Sequence, residues 1–205
     1  MEKQYYSNLR LDLVKLISIE KIENILEIGG GEFDTLKYVV NKYNCNGVGV
    51  DIRIPSDTDK IKFYQYDLDK IDNSFLNGQK FDLIIAGDVL EHTIYPEKVI
   101  EKLNSLLNNS GVFILSVPNI RSLRALYFIF IKGVFPRNDN GLFDRTHRSW
   151  FTYKNIEFIL KSNNFEIVNY KPLGRLEKFF FGRKSFVSEF LALQHSFVVK
   201  RKKIV

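Results

Sequence analysis

Four acidic side chains stand at or directly after apolar segments that are typical of buried β-strands. They are Glu27, Asp51, Asp67 and Asp88. An open parallel sheet binds its ligands at the carboxyl ends of its strands, so four acids at that edge predict a shared ligand. A carboxylate after the second strand can accept hydrogen bonds from ribose hydroxyls, and one after the third can meet an adenine amino group. For any single acid, a helix cap or a solvated loop position is the alternative.

A glycine cluster follows the first of these strands. Residues Gly29 to Gly31 come directly after apolar residues, and a helical pattern begins at Asp34. Glycine tolerates positive φ and leaves room for a ligand beside backbone N–H groups. Asp51 comes about twenty residues later, where nucleotide-binding sheets hold ribose. The pattern predicts a nucleoside-containing cofactor, and Glu27 would organise the turn and a cationic part of that ligand.

Two histidines could act as general bases, because imidazole titrates near neutral pH. His92 follows the fourth strand pattern, and His147 lies in a later polar segment. The alternative for each is structural: His92 would orient the loop of Glu91, and His147 would fix a lid. A metal site would combine the two histidines with Glu91 and Asp144, but the long separation in sequence and the lack of tight spacing disfavour it, so no metal is predicted. His195 is expected to be structural.

Four arginines could bind an anionic substrate, because the guanidinium group matches phosphate and carboxylate. They are Arg121, Arg124, Arg145 and Arg148. All four lie in a long segment, residues 119–148, between the fifth strand pattern and the next helix pattern. If this insertion covers the site, the arginines favour a nucleotide-linked or lipid-linked sugar. Salt bridges at the protein surface are the alternative.

Strand and helix patterns alternate along the chain, which predicts a parallel sheet with helices on both faces. Predicted strands cover residues 25–28, 47–51, 62–66, 81–86, 112–117, 166–170 and 196–200. Predicted helices cover residues 10–19, 34–43, 71–76, 97–107 and 154–162. No linker composition divides the chain, so one domain is expected over residues 1–205, with 119–148 as an insertion.

Composition limits the classes of partner. The chain of 205 residues is 45% apolar and carries a net charge of +6. A nucleic-acid partner is disfavoured, because the basic residues are not interleaved with aromatic ones. Cys45 is the only cysteine, and the N-terminus has no secretory pattern, which together predict a cytoplasmic location.

Two apolar segments lie outside the strand and helix patterns. Residues Leu123 to Val134 are too few to span a bilayer and are expected to form a buried lid helix. An interfacial helix that touches the inner face of the membrane is the alternative. Phenylalanines within residues 179–190 form a second apolar patch, which would serve a homodimer or a lipid contact.

A series of motifs resembles class I S-adenosylmethionine-dependent methyltransferases. The motifs are Leu26 to Gly31, Gly47 to Asp51, Phe81 to His92, Leu106 to Gly111 and Ser116 to Asn119. A looser match over Phe143 to Thr152 resembles small methyltransferases of bacterial polysaccharide and metabolite biosynthesis. The resemblance implies an α/β, Rossmann-like, doubly wound sheet of seven strands in the order 3-2-1-4-5-7-6. Strand 7 would be antiparallel, and a lid would follow strand 5.

The resemblance also implies S-adenosyl-L-methionine as the cofactor and assigns the residues that would hold it. They are Glu27, Gly29 and Gly31 for its methionine part, Asp51 and Ile52 for ribose and adenine, Asp67 and Leu68 beside adenine, and Asp88 near the sulfonium. Phe33 departs from the family by replacing its third glycine, and would narrow the space over the methionine end.

The predicted activity is O-methylation of a glycan, glycolipid or small metabolite. The alternatives are N- or C-methylation and a non-catalytic scaffold that keeps the fold. An NAD-dependent oxidoreductase is disfavoured, because the dinucleotide fingerprint needs a third glycine where this chain has Asp34.

Overall fold

The structure, a computed structural model, describes residues 9–72, 74–174 and 186–202, without the side chains of residues 186–188. Its strands are β1 (Asn24–Ile28), β2 (Asn46–Asp51), β3 (Ile61–Gln65), β4 (Phe81–Gly87), β5 (Leu107–Pro118), β6 (Phe165–Leu173) and β7 (Gln194–Arg201). Its α-helices are α1 (Leu11–Val14), α2 (Asp34–Tyr43), α3 (Pro96–Leu106), α4 (Leu123–Leu126), α5 (Tyr153–Ser162) and α6 (Phe186–Leu191). Short 3-10 turns cover Leu68–Lys70 and Leu90–His92.

The seven strands form one sheet in the order β3-β2-β1-β4-β5-β7-β6. Neighbouring strands from β3 to β5 pair in parallel, and β7 runs antiparallel to both β5 and β6. This arrangement confirms the predicted Rossmann-like fold, including its antiparallel last strand. The carboxyl ends of β1, β2, β3 and β4 therefore lie along one edge of the sheet.

Both faces of the sheet are buried, because side chains of a strand point alternately to opposite sides. Leu26 and Ile28 of β1 join a cluster that includes Leu103 of α3. Ile25 of the same strand joins a second cluster with Leu36 of α2. Each of these side chains is fully buried, which is worth about 1.5–3 kcal/mol per residue. The two layers hold the strand ends that carry the predicted site.

Two predicted helices differ from the structure. The first ends at Val14 instead of residue 19, because the N–H groups of Leu16 and Ile17 bond to carbonyls three residues back. The predicted helix at residues 71–76 is wrong. A 3-10 turn forms earlier, at Leu68–Lys70, because the Asp67 carboxylate accepts the Asp69 N–H at 3.1 Å. The strand β5 also begins at Leu107 rather than Val112.

The apolar segment after β5 is largely exposed, so the prediction of a buried lid helix is wrong. The helix α4 buries Ala125 and then widens into a π-helical turn at Tyr127–Ile131. Phe130 and Ile131 are 75% and 73% exposed. We call Leu123, Tyr127, Phe130, Ile131 and Val134 the apolar ridge; all five are exposed.

Within the described ranges, none of the helices combines the length and apolar character needed to cross a bilayer. Of the predicted second apolar patch, Phe179, Phe180 and Phe181 lie outside the described residues.

The end of the insertion returns to the carboxyl end of β4. The backbone N–H groups of Arg148 and Ser149 donate to the Glu91 carbonyl at 2.8 and 3.0 Å. The Ser149 hydroxyl also donates to the Thr93 carbonyl at 2.9 Å. These bonds place residues 144–149 beside the predicted site.

Candidate active site

The glycine turn is fixed between β1, β2 and the loop after β4. Gly29 and Gly31 have φ of 65° and 58°, values that favour glycine. A Cβ on Gly29 would stand 2.3 Å from a methyl group of Val89, so only glycine fits there. The Gly31 N–H donates to the Asp51 carboxylate at 3.0 Å. This hydrogen bond joins the turn to the acid at the end of β2.

Phe33, where the family pattern would have its third glycine, packs below this turn. Its ring is fully buried and lies 5.0 Å from the ring of Phe63. A Cβ on Gly30 would stand 2.5 Å from the Phe33 ring, and one on Gly49 would stand 2.8 Å from it. The side chain therefore fills the core between the turn and β2. The Phe33 backbone adopts a positive φ of 57°, which is uncommon for residues other than glycine.

Glu27 is buried directly under the turn. One carboxylate oxygen accepts the Leu36 N–H at 2.8 Å. Burial raises the pKa of Glu27 to about 8, although the Leu36 hydrogen bond and the charge of Arg10 oppose this shift. The side chain is therefore mostly neutral at pH 7 without a ligand, and a cationic ligand group would favour its charged form.

Replacing Glu27 by glutamine is expected to flatten the dependence of stability on pH. In the folded protein the pKa of Glu27 is about 8, against 4.5 when unfolded. Between these values only the unfolded chain loses the proton, so the stability of the wild type falls as pH rises from 4.5 to 8. The slope from this one group approaches about 1.4 kcal/mol per pH unit. Urea unfolding of both proteins at several pH values measures the difference, and parallel pH profiles would contradict the assignment.

Asp51 and Ile52 lie together where β2 ends. The second oxygen of Asp51 accepts the Arg53 N–H at 3.2 Å. Ile52 is 59% exposed, and its carbonyl accepts a hydrogen bond from Gln65 at 2.9 Å. Asp67 and Leu68 follow the neighbouring strand β3. The carboxylate of Asp51 could accept hydrogen bonds from a ribose, and the exposed apolar side chain of Ile52 could pack against a flat base.

Asp88 lies at the end of β4, but protein groups already hold its carboxylate. One oxygen accepts Arg10 at 2.7 Å and Gln194 at 2.8 Å, and the other accepts the Ser116 hydroxyl at 2.8 Å. Arg10 is further tied to Asp12 at 2.8 Å. Sequence reasoning missed Arg10, because it stands 78 residues from Asp88 and belongs to no motif.

His92 is held in one tautomer by hydrogen bonds from the insertion. We call the chain from His92 through Thr146 to Asp144 the relay. Its Nδ1 lies 3.1 Å from the Thr146 hydroxyl, which donates its own proton to Asp144 at 2.6 Å. A hydroxyl has a single proton, so Thr146 can only accept from His92. Nδ1 therefore carries the hydrogen, and Nε2 keeps a lone pair. Sequence reasoning gave Thr146 no role, although it stands beside His147.

His147 lies next to His92, as an acceptor-site role for both would require. The two rings meet edge to face with centroids 4.8 Å apart. Nδ1 of His147 donates to the Leu142 carbonyl at 3.0 Å, so its Nε2 is also unprotonated in the neutral ring. Burial and then the neighbouring His92 lower the pKa of His147. By contrast, His195 is buried against Tyr170, in agreement with a structural role.

The four predicted substrate arginines do not share a common partner. Three form salt bridges: Arg121 with Glu189 at 2.6 Å, Arg145 with Asp139 at 2.6 Å and Arg148 with Asp69 at 2.7 Å. Arg124 is exposed on α4. The pairing of Arg148 still ties the insertion to the turn after β3.

Comparison with known protein families identifies the chain. A family model described as a methyltransferase domain matches residues 1–170. The chain belongs to the methyltransferase domain family. The prediction that it is an enzyme of this class is confirmed, and the glycine turn, the acids and the two histidines are the candidate active site of a methyltransferase. No curated protein sequence matches this methyltransferase.

Solved structures with the same fold are distant in sequence. A putative S-adenosylmethionine-dependent methyltransferase from Listeria monocytogenes matches with a TM-score of 0.64 and 14% identity, over 94% of this chain and 97% of that one. A Burkholderia thailandensis N1-methyltransferase with bound 1,6-didemethyltoxoflavin and S-adenosylhomocysteine gives 0.65 and 13%, over 98% and 81%. A chain from the complex of the Haloferax volcanii Trm112 activator with a putative methyltransferase gives 0.65 and 10%, over 98% and 92%. At these low identities, the structural similarity supports the fold of this methyltransferase and not its acceptor.

Proposed function

We propose that this methyltransferase methylates an oxygen atom of a small acceptor, such as a glycan, a glycolipid or a metabolite. The cofactor is S-adenosylmethionine, which supplies a methyl group on a positively charged sulfur that leaves readily. The observation that carries the proposal is the hydrogen-bond chain from His92 through Thr146 to Asp144, which leaves Nε2 of the neutral His92 ring as an acceptor at the sheet edge where the glycine turn and Asp51 also lie. A proton acceptor at this edge is what a hydroxyl acceptor needs.

The residues at the edge fit the cofactor in chemical type. Asp51 can accept hydrogen bonds from ribose hydroxyls, and Ile52 offers an apolar surface to adenine beside Asp67 and Leu68. Glu27 supplies a negative charge to the methionine ammonium once that cation favours its ionised form. Gly29 and Gly31 keep the turn free of side chains. Asp88 would act through Arg10, because its own oxygens are already held.

Methyl transfer requires the protein mainly to align the acceptor with the methyl group and to remove a proton from the acceptor. In this proposal the acceptor hydroxyl lies against His92 and gives its proton to Nε2. Thr146 and Asp144 then stabilise the imidazolium through Nδ1, since both hydrogen bonds point toward the carboxylate. The acceptor oxygen attacks the methyl carbon, and the electrons of the carbon–sulfur bond stay on sulfur. His147 lines the space beside His92 and orients the acceptor there.

An oxygen acceptor is favoured over nitrogen or carbon by this relay. A neutral amine can attack before it loses its proton, whereas an alcohol needs a base in the same step. One structural relative is an N1-methyltransferase, so N-methylation is the alternative. A sugar with an anionic carrier is the acceptor class we infer, because Arg124 and Arg148 lie exposed in the insertion.

Transfer of a labelled methyl group tests the proposal. The protein is incubated with methyl-labelled S-adenosylmethionine and with nucleotide-linked sugars, lipid-linked sugars or amines of matched size. We expect label in a methyl ether, identified by mass spectrometry and NMR. Label only in a methylamine or on carbon contradicts O-methylation. Cofactor binding without transfer to any acceptor supports the scaffold alternative.

We also infer a cytoplasmic protein that touches the inner face of the membrane through the apolar ridge. Exposed Phe130 and Ile131 lie beside Lys132, whose charge suits anionic headgroups. Replacing both apolar residues by serine is expected to reduce co-sedimentation with anionic vesicles about tenfold or more. Phe158→Ser is the control, since this side chain is 72% exposed on α5. Unchanged sedimentation contradicts the inference, and loss of a dimer in gel filtration would make the ridge a homodimer contact.

A further inference from the structure

Three potential metal ligands gather beside the relay. Glu91, His92 and His147 each offer one ligand atom, and these atoms all lie within 4.8 Å of one another. Glu91 and His92 belong to the turn after β4, whereas His147 comes from the insertion. The two segments are joined by the hydrogen bonds from Arg148 and Ser149 to the Glu91 carbonyl. The backbone therefore holds the cluster together.

Glu91 is the unusual member of this cluster. Its side chain is 1% exposed, and neither carboxylate oxygen has a hydrogen-bond partner among the described residues. Burying a carboxyl group without a partner costs free energy, so such groups in native proteins are normally hydrogen-bonded or bound to metal. The packing of the protein thus maintains an acidic group whose partner is not part of the described chain.

Both histidines are prepared as ligands by their second nitrogen. Nδ1 of His92 donates to Thr146, and Nδ1 of His147 donates to the Leu142 carbonyl. Metal-binding histidines typically donate one ring N–H to a carbonyl, carboxylate or similar acceptor, which leaves the other nitrogen for the ion. In the neutral rings both free lone pairs are therefore on Nε2, and each histidine places one ring nitrogen in the cluster with the Glu91 carboxylate.

We propose that Glu91, His92 and His147 bind a divalent transition-metal ion. Two imidazoles and one carboxylate suit Zn²⁺ and its neighbours better than Mg²⁺ or Ca²⁺, which prefer oxygen ligands. With bonds of about 2.1 Å, ligand atoms on a tetrahedral ion lie about 3.4 Å apart. The ligand atoms lie within 4.8 Å in this structure, so the widest separation must shorten by up to about 1.4 Å when the ion binds.

Three protein ligands leave an open position on a tetrahedral ion, as in catalytic zinc sites. This inference rests on the proposed function in one respect: the open position would receive the acceptor hydroxyl. The ion would then lower the pKa of that hydroxyl, and the proton would leave to solvent, so in the metal-bound enzyme Nε2 of His92 holds the ion instead of taking the proton. The oxygen forms its bond to the methyl carbon as before, and sulfur keeps the electron pair.

Titration with Zn²⁺, by calorimetry on protein free of any polyhistidine tag, tests the site. We expect one ion per chain in the wild type, with affinity reduced at least about 100-fold in Glu91→Gln and in His147→Ala. Glu189→Gln is the matched control, because it makes the same change at another buried glutamate and should leave Zn²⁺ binding unchanged. Visible absorption of bound Co²⁺ and circular dichroism report coordination and folding for each variant.

The same samples are titrated with S-adenosylmethionine. Cofactor binding without Zn²⁺ binding, or Zn²⁺ binding that survives both ligand substitutions in folded protein, overturns the metal site and leaves the proposed function intact. Zn²⁺ binding that is lost in both variants supports the site even if no cofactor binds, in which case the proposed function fails separately.

Discussion

Replacing His92 by asparagine is expected to lower the rate of methyl transfer about 10²–10⁴-fold, the usual worth of a general base. Asparagine keeps an N–H donor near the position of Nδ1, so the hydrogen bond to Thr146 can survive. It has no atom at the position of Nε2. The loss is expected whether Nε2 takes the proton itself or holds a metal ion. Single-turnover rates with a confirmed acceptor measure it.

Two further measurements separate chemistry from structure at His92. The affinity for S-adenosylmethionine and the melting temperature of His92→Asn should match those of the wild type, because the side chain is only half buried. Thr146→Val removes the acceptor of the Nδ1 hydrogen and should cost about tenfold in rate, as a positioning effect. A His92→Asn protein that turns over at nearly the wild-type rate would contradict the assignment.

Replacing Asp51 by asparagine is expected to weaken S-adenosylmethionine binding about 10- to 150-fold. Hydrogen bonds to a charged group contribute roughly 1.5–3 kcal/mol each, and asparagine keeps one uncharged acceptor in place of the carboxylate. The substitution also disturbs the 3.0 Å bond from the Gly31 N–H, which fixes the glycine turn. Both effects act on the ribose side of the site. Calorimetric titration of the variant measures the change.

Asp82→Asn is the matched control for Asp51→Asn. The Asp82 carboxylate also accepts two backbone N–H groups, from Glu23 at 2.9 Å and Asn24 at 3.1 Å, but at the amino end of β4. It should lower stability without lowering cofactor affinity. Equal losses of affinity in the two variants would mean that Asp51 acts only through stability, not through contact with ribose.

The sequence predicted the sheet well because its signals are local. Runs such as Leu83 to Ala86 are apolar throughout, as expected for strands buried on both faces, and the residues at their ends follow from position alone. The glycine turn and Asp51 are likewise set by spacing along the chain, and the structure joins them by a direct hydrogen bond. The order of the strands came from the family resemblance and is confirmed.

The side-chain contacts of the candidate site could not be predicted, because they join distant parts of the chain. Arg10 reaches Asp88 across 78 residues, and no local pattern marks that pair. The rings of His92 and His147 meet because the insertion returns to the Glu91 carbonyl. The apolar ridge was expected to be buried, since apolar content does not reveal whether a neighbouring element exists to cover it. Burial also set the raised pKa of Glu27, which spacing cannot show.

Binding of S-adenosylmethionine by the wild-type protein tests whether this chain is a working methyltransferase. Calorimetric titrations with S-adenosylmethionine, S-adenosylhomocysteine and NAD compare three ligands that share an adenosine part. We expect micromolar or tighter binding of the first two, one per chain, and no saturable binding of NAD. Binding of NAD alone, or of none of the three by folded protein, would contradict it.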